Sequence, residues 1–163
     1  MVYDYLESPI GQLLLAADAS GLRYVGFELG RHPVWIGDDW SRDCGALHEA
    51  RAQLDAYFAG ELTQFDLALA AQGSDFDQRV WDELRRIQYG ATLSYGELAR
   101  RVGDPLAARA VGAANGRNPL PIIVPCHRVI GANGSLTGFG GGLATKKFLL
   151  EHEQRYATFA LTP

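Results

Sequence analysis

Apolar and polar residues alternate along the first third of the chain, in short runs separated by turn signals. Residues 8–11 (SPIG) and 19–21 (ASG) have the composition of tight turns, and residues 13–17 and 22–27 that of strands. Strands joined by such short turns pair antiparallel, so the pattern predicts an antiparallel meander. Residues 65–69 are strand-like as well, and we predict a further strand there.

A helical pattern follows the meander. Apolar side chains recur at three- and four-residue spacing in residues 47–58, and Gly60 is placed to end that helix. Charge and pattern both change at residues 71–74. We therefore predict two domains, residues 1–73 and 74–163.

The second domain carries three helix starts. Ser74 is placed to cap a helix with an apolar stripe over residues 76–87. Ser94, with a glutamate three residues on, fits a capping box. Asp104 is placed to cap a further helix with Pro105 at its first position. Two helices joined by a tight turn predict a helix-turn-helix.

The last of these helices is built largely from small residues. Residues 105–118 have the sequence PLAARAVGAANGRN, in which Arg109 is a long cation among alanines and glycine. A small-residue face lets another surface approach closely. On this pattern alone we favour tight packing against a sheet or helix of the same protein, with close approach of another surface as the alternative.

Composition narrows the class of protein. The 163 residues are 47% hydrophobic and 21% charged, as in globular proteins. No signal peptide or membrane span is evident, and Cys44 and Cys126 form no C-x-x-C pair, so we expect a cytoplasmic protein without a metal site. The net charge of −4 is unevenly divided. Residues 1–74 have 4 basic and 11 acidic side chains, whereas residues 75–163 have 11 basic and 8 acidic ones, which permits a polyanionic partner on one side.

The strongest chemical signal lies in residues 122–131, IIVPCHRVIG. A thiol becomes a strong nucleophile as the thiolate, which a neighbouring base or cation favours, and His127 follows Cys126 directly. Adjacent residues of an extended chain point to opposite faces, so a bridging water between the two is a reasonable expectation. A carboxylate would orient the imidazole. The candidates are Glu153, Glu151 and Asp104, and a buried inert cysteine is the alternative to the whole arrangement.

Together these residues resemble a known family. The segment PCHRV (residues 125–129), with Asn118-Pro119 before it and the glycine-rich loop GANGSLTGFGGG (residues 131–142) after it, is similar to the signature of the O6-alkylguanine-DNA alkyltransferases. The similarity extends through SYGELA, AARAVG and LLEHE and covers residues 74–153. SPIG and QLDAYFAGEL in the N-terminal half are similar more loosely.

The resemblance implies an α+β fold, with a ribonuclease-H-like sheet and helix followed by a winged helix-turn-helix domain. It implies DNA repair in which a damaged guanine is rotated out of the duplex and its O6-alkyl group passes irreversibly to a cysteine, once per molecule. O4-alkylthymine is a further possible substrate. The implied partner is double-stranded DNA, no cofactor is needed, and the protein is expected to be a monomer, with clustering on DNA left open.

The resemblance also assigns roles to individual residues. The implied catalytic set comprises Cys126 as acceptor, His127 as base, Glu153 orienting it, Asn118 bracing the turn and Tyr95 acting on the nucleotide. The implied DNA-binding set comprises the finger Arg109, the small residues Ala107, Ala108, Ala110 and Gly112, and Tyr95, Ser94 and Arg128. The implied alkylguanine pocket comprises Pro121, Val129, Phe139, Gly140 and Gly141.

The chain also departs from the family pattern. Phe139 stands where many relatives have tyrosine and Gly140 where some have serine, and no second thiol matches the zinc site of some relatives, so Cys44 is expected to be structural. Two other functions remain as alternatives: a module that binds alkylated DNA without repairing it, and a Cys-His hydrolase. A transcriptional regulator would need an extra domain for which 163 residues leave no room.

Overall fold

The computed structural model describes residues 1–28, 30 and 33–160, with side chains up to residue 157. The N-terminal sheet contains β1 (Val2–Ser8), β2 (Gly11–Asp18), β3 (Gly21–Phe27) and β4 (Ser41–Arg42) in the order β3-β2-β1-β4. The first three strands form the predicted antiparallel meander, whereas β4 pairs parallel with β1.

The strand predicted over residues 65–69 is wrong in extent. The segment forms a single parallel bridge, Leu22 to Leu69, in which the amide of Leu22 donates to Ala68 O at 2.8 Å. The close approach is possible because Gly21 has no side chain: a Cβ there would stand 2.6 Å from Ala68 O, and the φ of +143° also favours glycine. The segment is therefore tied to the edge of β3 without joining the sheet.

The helix α1 (His48–Phe58) confirms the helical pattern of residues 47–58, and Gly60 follows it with a φ of +79°. Its buried residues Ala50, Leu54 and Tyr57 belong to one continuous hydrophobic cluster with Leu13 of β2. The same cluster includes side chains from the C-terminal half, among them Leu84, Leu98, Val111 and Leu149.

The helices α2 (Asp75–Arg85), α3 (Tyr95–Arg101) and α4 (Ala108–Gly116) follow. Ser74 caps α2 in a full capping box with Asp77. Ser94 caps α3 by accepting from Glu97 N, but the Glu97 carboxylate pairs with Arg100 and Arg101 instead of completing the box.

The predicted start of α4 is wrong. Asp104 and Pro105 lie in a turn closed by Ala107 N donating to Asp104 O at 3.0 Å, and Asp104 Oδ1 accepts from Leu106 N. The helix therefore begins at Ala108. The pair α3 and α4 still supplies the two helices and connecting turn that a helix-turn-helix requires, and the predicted α+β class is confirmed.

A short 3-10 turn, Cys126–Arg128, leads into β6 (Val129–Ile130), which pairs parallel with β5 (Leu93–Ser94). The chain then passes through the glycine-rich loop into α5 (Leu143–Ala160). None of the helices described is long and apolar enough to cross a membrane.

Candidate active site

The thiol of Cys126 is held inside the protein by a braced backbone turn. Asn118 Nδ2 donates to Val124 O at 2.8 Å and Asn118 Oδ1 accepts from Leu120 N at 2.9 Å, so one amide closes the loop that leads to the cysteine. Within that loop Ile122 has a φ of +76°, a conformation that a β-branched residue adopts only when its surroundings hold it there. The predicted bracing geometry of Asn118 is thus present.

Burial decides the protonation state of the thiol. Cys126 is 5% exposed, and burial raises its pKa to about 11, against the opposing effects of the Asn118 hydrogen bond and the charge of Lys146. The side chain is therefore a thiol near neutral pH. It needs a proton acceptor before it can act as a nucleophile.

His127 has the properties of that acceptor. Its ring is fully buried, and Nε2 lies 2.7 Å from Glu153 Oε2. Burial lowers the pKa of His127 and outweighs the opposing hydrogen bond and charge of Glu153, with Arg128 and Lys146 adding to the lowering, so the imidazole is neutral. A carboxylate only accepts, so Nε2 carries the proton and Nδ1 carries the lone pair. Within the described residues, Nδ1 has no hydrogen-bond partner.

Glu153 is the carboxylate that the sequence could not choose from three candidates. It is 1% exposed, whereas Glu151 is exposed on α5 and Asp104 lies in the exposed turn before α4. Burial acts to raise the pKa of Glu153, but the hydrogen bonds from His127 and Arg128 and the charge of Arg128 outweigh it and hold that pKa far below its usual range. The group is ionised, and one of its oxygens lies 2.7 Å from Nε2 of His127.

The structure contradicts the assignment of Arg128 to DNA contact. The residue is 6% exposed. Nε donates to Glu153 Oε1 at 2.7 Å and Nη2 to Oε2 at 3.0 Å, while Nη1 donates to Ile87 O at 2.6 Å. The reason is the 3-10 turn, which directs three consecutive side chains inward. Arg128 is the counter-ion of Glu153, and its guanidinium is engaged inside the protein.

A cavity of about 620 Å³ opens beside Cys126. This volume lies in the range of small-molecule sites. Three of the predicted pocket residues line it, namely Pro121, Phe139 and Gly140, together with Asn118. The other two do not line it: Val129 is fully buried, and Gly141 lies so close to Phe27 and Phe139 that an added Cβ would stand 3.0 Å from both rings.

The N-terminal half supplies part of the lining of this cavity, which the sequence did not indicate. Phe27 packs edge-on against Phe139 at a centroid distance of 5.6 Å, and Tyr24, Trp35 and Trp40 complete an aromatic wall. Trp35 is 82% exposed, so this wall ends at the surface.

The helix α4 presents the predicted small-residue surface only in part. Arg109 and Ala110 are exposed, Ala107, Ala108 and Gly112 are half-buried, and Ala114 belongs to the core, where its carbonyl accepts from Trp81 Nε1. In the part of the chain that is described, the Arg109 side chain makes no hydrogen bond or ion pair. The predicted cation is therefore free for a partner.

The tyrosine and serine assigned to DNA lie next to this surface. Tyr95 begins α3, its ring faces Gly112 of α4, and its hydroxyl accepts from Thr137 Oγ1 of the glycine-rich loop at 3.4 Å. Ser94 is half-buried and its oxygen is engaged in capping α3.

Two models of known protein domains match this chain. The model of the 6-O-methylguanine DNA methyltransferase DNA binding domain matches residues 75–155, and that of the ribonuclease-like domain of the same protein matches residues 1–71. The chain belongs to the 6-O-methylguanine DNA methyltransferase family.

The relatives agree over nearly the whole chain. A methylated-DNA--protein-cysteine methyltransferase from Methanosarcina acetivorans is 54% identical over 153 residues, 94% of this chain and 98% of the relative. The protein of that name from Mycobacterium tuberculosis H37Rv is 53% identical over 161 residues, 98% of this chain and 96% of the relative. The structure of Mycobacterium tuberculosis OGT in complex with DNA superposes with a TM-score of 0.90 at 52% identity, covering 96% of this chain and 94% of that one.

Sequence reasoning missed one buried cation of this family member. Lys146 is fully buried, and its Nζ donates to Val129 O at 2.6 Å and to Thr137 O at 2.8 Å, which ties β6 to the glycine-rich loop. Helical spacing could have indicated its burial, because Lys146 lies on the same face of α5 as Leu149 and Glu153. Of the residues described, no group of three or more His, Cys, Asp and Glu side chains could hold a metal ion, and Cys44 is exposed.

Proposed function

We propose that this protein repairs DNA by moving the alkyl group of O6-alkylguanine to the sulfur of Cys126, once per molecule. One observation carries the proposal: a buried thiol borders a 620 Å³ cavity and precedes a neutral histidine whose other nitrogen is fixed by an ionised carboxylate. The two relatives named above, both more than 50% identical, are called methylated-DNA--protein-cysteine methyltransferases.

The proposed reaction is a displacement at carbon. His127 Nδ1 accepts the thiol proton through a bridging water, and Glu153 stabilises the resulting imidazolium. The sulfur forms a bond to the alkyl carbon while the bond from that carbon to O6 breaks, and its electron pair stays on guanine. Tyr95 donates a proton to the departing guanine, and the thiol proton held on His127 then passes through solvent to restore Tyr95, so that both side chains return to their starting protonation states. The thioether has no simple route back to the thiol, so the protein is consumed.

The proposed substrate is duplex DNA with the lesion rotated out of the stack. The α4 surface offers Arg109, exposed and free, to occupy the space that the base leaves, and the small side chains of Ala107, Ala108, Ala110 and Gly112 allow a groove to come close. The rotated base would enter the cavity between Pro121 and Phe139, with its alkyl group toward the sulfur.

We also propose how the two parts of the chain divide the work. Residues 74–163 contribute the acceptor, the His127–Glu153 pair and the DNA surface, while residues 1–73 contribute aromatic side chains to the lining of the cavity. We expect a monomer that works in the cytoplasm, where the two free thiols stay reduced.

The alternative of a non-catalytic binding module would leave the His127–Glu153 relay unexplained, since binding a base needs no proton acceptor. A duplex carrying a single O6-methylguanine, mixed with limiting protein, distinguishes the two. We expect lesion loss to stop at one equivalent per protein, with Cys126→Ser inactive and Cys44→Ser, the matched control, fully active. Continued turnover would reject the single-use reaction, and no lesion loss would favour the binding module.

A further inference from the structure

The relay contains a member from the N-terminal half. Tyr57, on α1, is fully buried, and its hydroxyl donates to Glu153 Oε2 at 2.7 Å. The same oxygen accepts from His127 Nε2 at 2.7 Å. The two donors, which lie 70 residues apart in the chain, therefore share one carboxylate oxygen.

The position of this hydroxyl is fixed from several sides. The Tyr57 ring contacts the rings of Phe58, Phe65 and Tyr89, and the Tyr57 carbonyl accepts from His152 Nε2 at 2.8 Å. Because α1 is joined to α5 both through the hydroxyl and through this carbonyl, the phenol cannot leave Glu153 without disturbing the helix pair.

The hydroxyl is also a permanent donor. Burial raises the pKa of Tyr57 well above its ordinary value, and the charge of Glu153 raises it further. The phenol therefore keeps its proton throughout the working pH range and always shares the negative charge of Oε2.

We propose that Tyr57 is a positioning residue for the alkyl transfer: its hydroxyl holds Glu153 Oε2 in line with His127 and limits how strongly that oxygen attracts the imidazole proton. The inference rests on the proposed function, because it assigns a role within the same proton relay. It also gives the N-terminal half a direct part in the chemistry.

The expected effect follows from the groups that face the imidazole and its carboxylate. They are Tyr57 from α1, Tyr89 from the turn after α2, Cys126 and Arg128 from the 3-10 turn, and Lys146 and Glu153 from α5. Tyr57→Phe leaves every charge in place and removes one donor from Oε2. His127 then faces a less shared carboxylate, so its pKa rises, and it stays protonated to higher pH.

The test measures transfer from free O6-benzylguanine across about pH 5 to 9, where histidine titrates. The rate should fall at low pH as His127 becomes protonated, and this fall is the acidic limb of the rate profile. We expect Tyr57→Phe to shift the acidic limb to higher pH. The maximal rate should fall about threefold to tenfold, a small part of the roughly 100-fold or more that a general base contributes. Tyr89→Phe is the matched control: it removes a neighbouring buried hydroxyl that has no hydrogen-bond partner within the described residues, and should leave the profile unchanged.

A purely structural role predicts something different. If Tyr57→Phe lowered the melting temperature or the rate without moving the acidic limb, the proposal would be overturned, as it would if Tyr89→Phe produced the same shift. Replacing Tyr57 alone with 3-fluorotyrosine, a stronger donor of the same shape, should move the limb to lower pH and does not depend on the phenylalanine variant being stable.

A double-mutant cycle tests whether Tyr57 acts on His127 through Glu153. In a Glu153→Gln background, Tyr57→Phe should have no further effect on the limb, because the two residues act through one contact. A shift of the wild-type size in that background would contradict the route through Glu153. If the wild-type protein itself took no benzyl group, the proposed function would fail instead, and the two failures would be distinguishable.

Discussion

Replacing Glu153 with glutamine should damage both the stability and the chemistry of this protein. Glutamine keeps the shape of the side chain and one carbonyl acceptor but removes the negative charge. Arg128, 6% exposed and bonded to Glu153 through Nε and Nη2, then becomes a buried cation without a counter-ion. Breaking a buried pair in this way costs about 3 to 5 kcal/mol, and the retained carbonyl favours the lower end.

The size of the stability effect can be converted to a melting temperature. For a chain of this length each kcal/mol corresponds to about 2 to 4 °C, so a loss of about 3 kcal/mol lowers the melting temperature by roughly 6 to 12 °C. Transfer should slow by about 100-fold, because His127 loses the charge that stabilises its protonated form.

Differential scanning calorimetry and single-turnover transfer from O6-benzylguanine, recorded well below the lowered melting temperature, measure the two effects. The matched control is Glu151→Gln on the same helix, where the exposed carboxylate only pairs with Lys147 at 3.8 Å. It should change the melting temperature by no more than about 1 °C, as surface substitutions do. A Glu153→Gln protein that melted and reacted like the wild type would refute the reasoning about the relay.

Three further predictions concern other parts of the site. Arg109→Ala should weaken repair of duplex DNA about tenfold while leaving the reaction with free O6-benzylguanine unchanged, since the side chain is expected to act only on a stacked base; equal losses in the two assays would reject the finger role. In a Cys44→Ser background, iodoacetamide labelling of Cys126 should keep accelerating with pH up to about 11, because burial raises the pKa of that thiol, and a plateau near neutral pH would contradict this. Lys146→Met should slow labelling of Cys126 near neutral pH, because the charge of the protonated lysine lowers the thiol pKa; an unchanged rate there would show that the lysine only ties the loop to β6.

The sequence predicted those strands and helices whose formation depends on interactions between residues close together in the chain. The meander and the Ser74-capped helix follow from turn residues, apolar spacing and a capping side chain, all within a few residues of one another. The predicted cap at Asp104 failed because the same side chain can equally accept an amide in a turn, and the turn that it joins is closed by Ala107.

The site was harder to predict because its contacts span the chain. The pair Cys126 and His127 is visible in the sequence, but the choice of Glu153 over Glu151 depends on which face of α5 meets the 3-10 turn. The inward direction of Arg128 and the hydrogen bond from Tyr57, 96 residues from Glu153, depend on tertiary packing for which no local pattern exists. The resemblance supplied Glu153, and the structure reassigned Arg128.

The most direct measurement of the central claim is peptide mass spectrometry of the protein after incubation with duplex DNA that carries O6-methylguanine. The account predicts one methyl group, on Cys126 within the segment PCHRV, in every molecule that has met a lesion. An unmodified Cys126 peptide, or a methyl group on Cys44 instead, would contradict it.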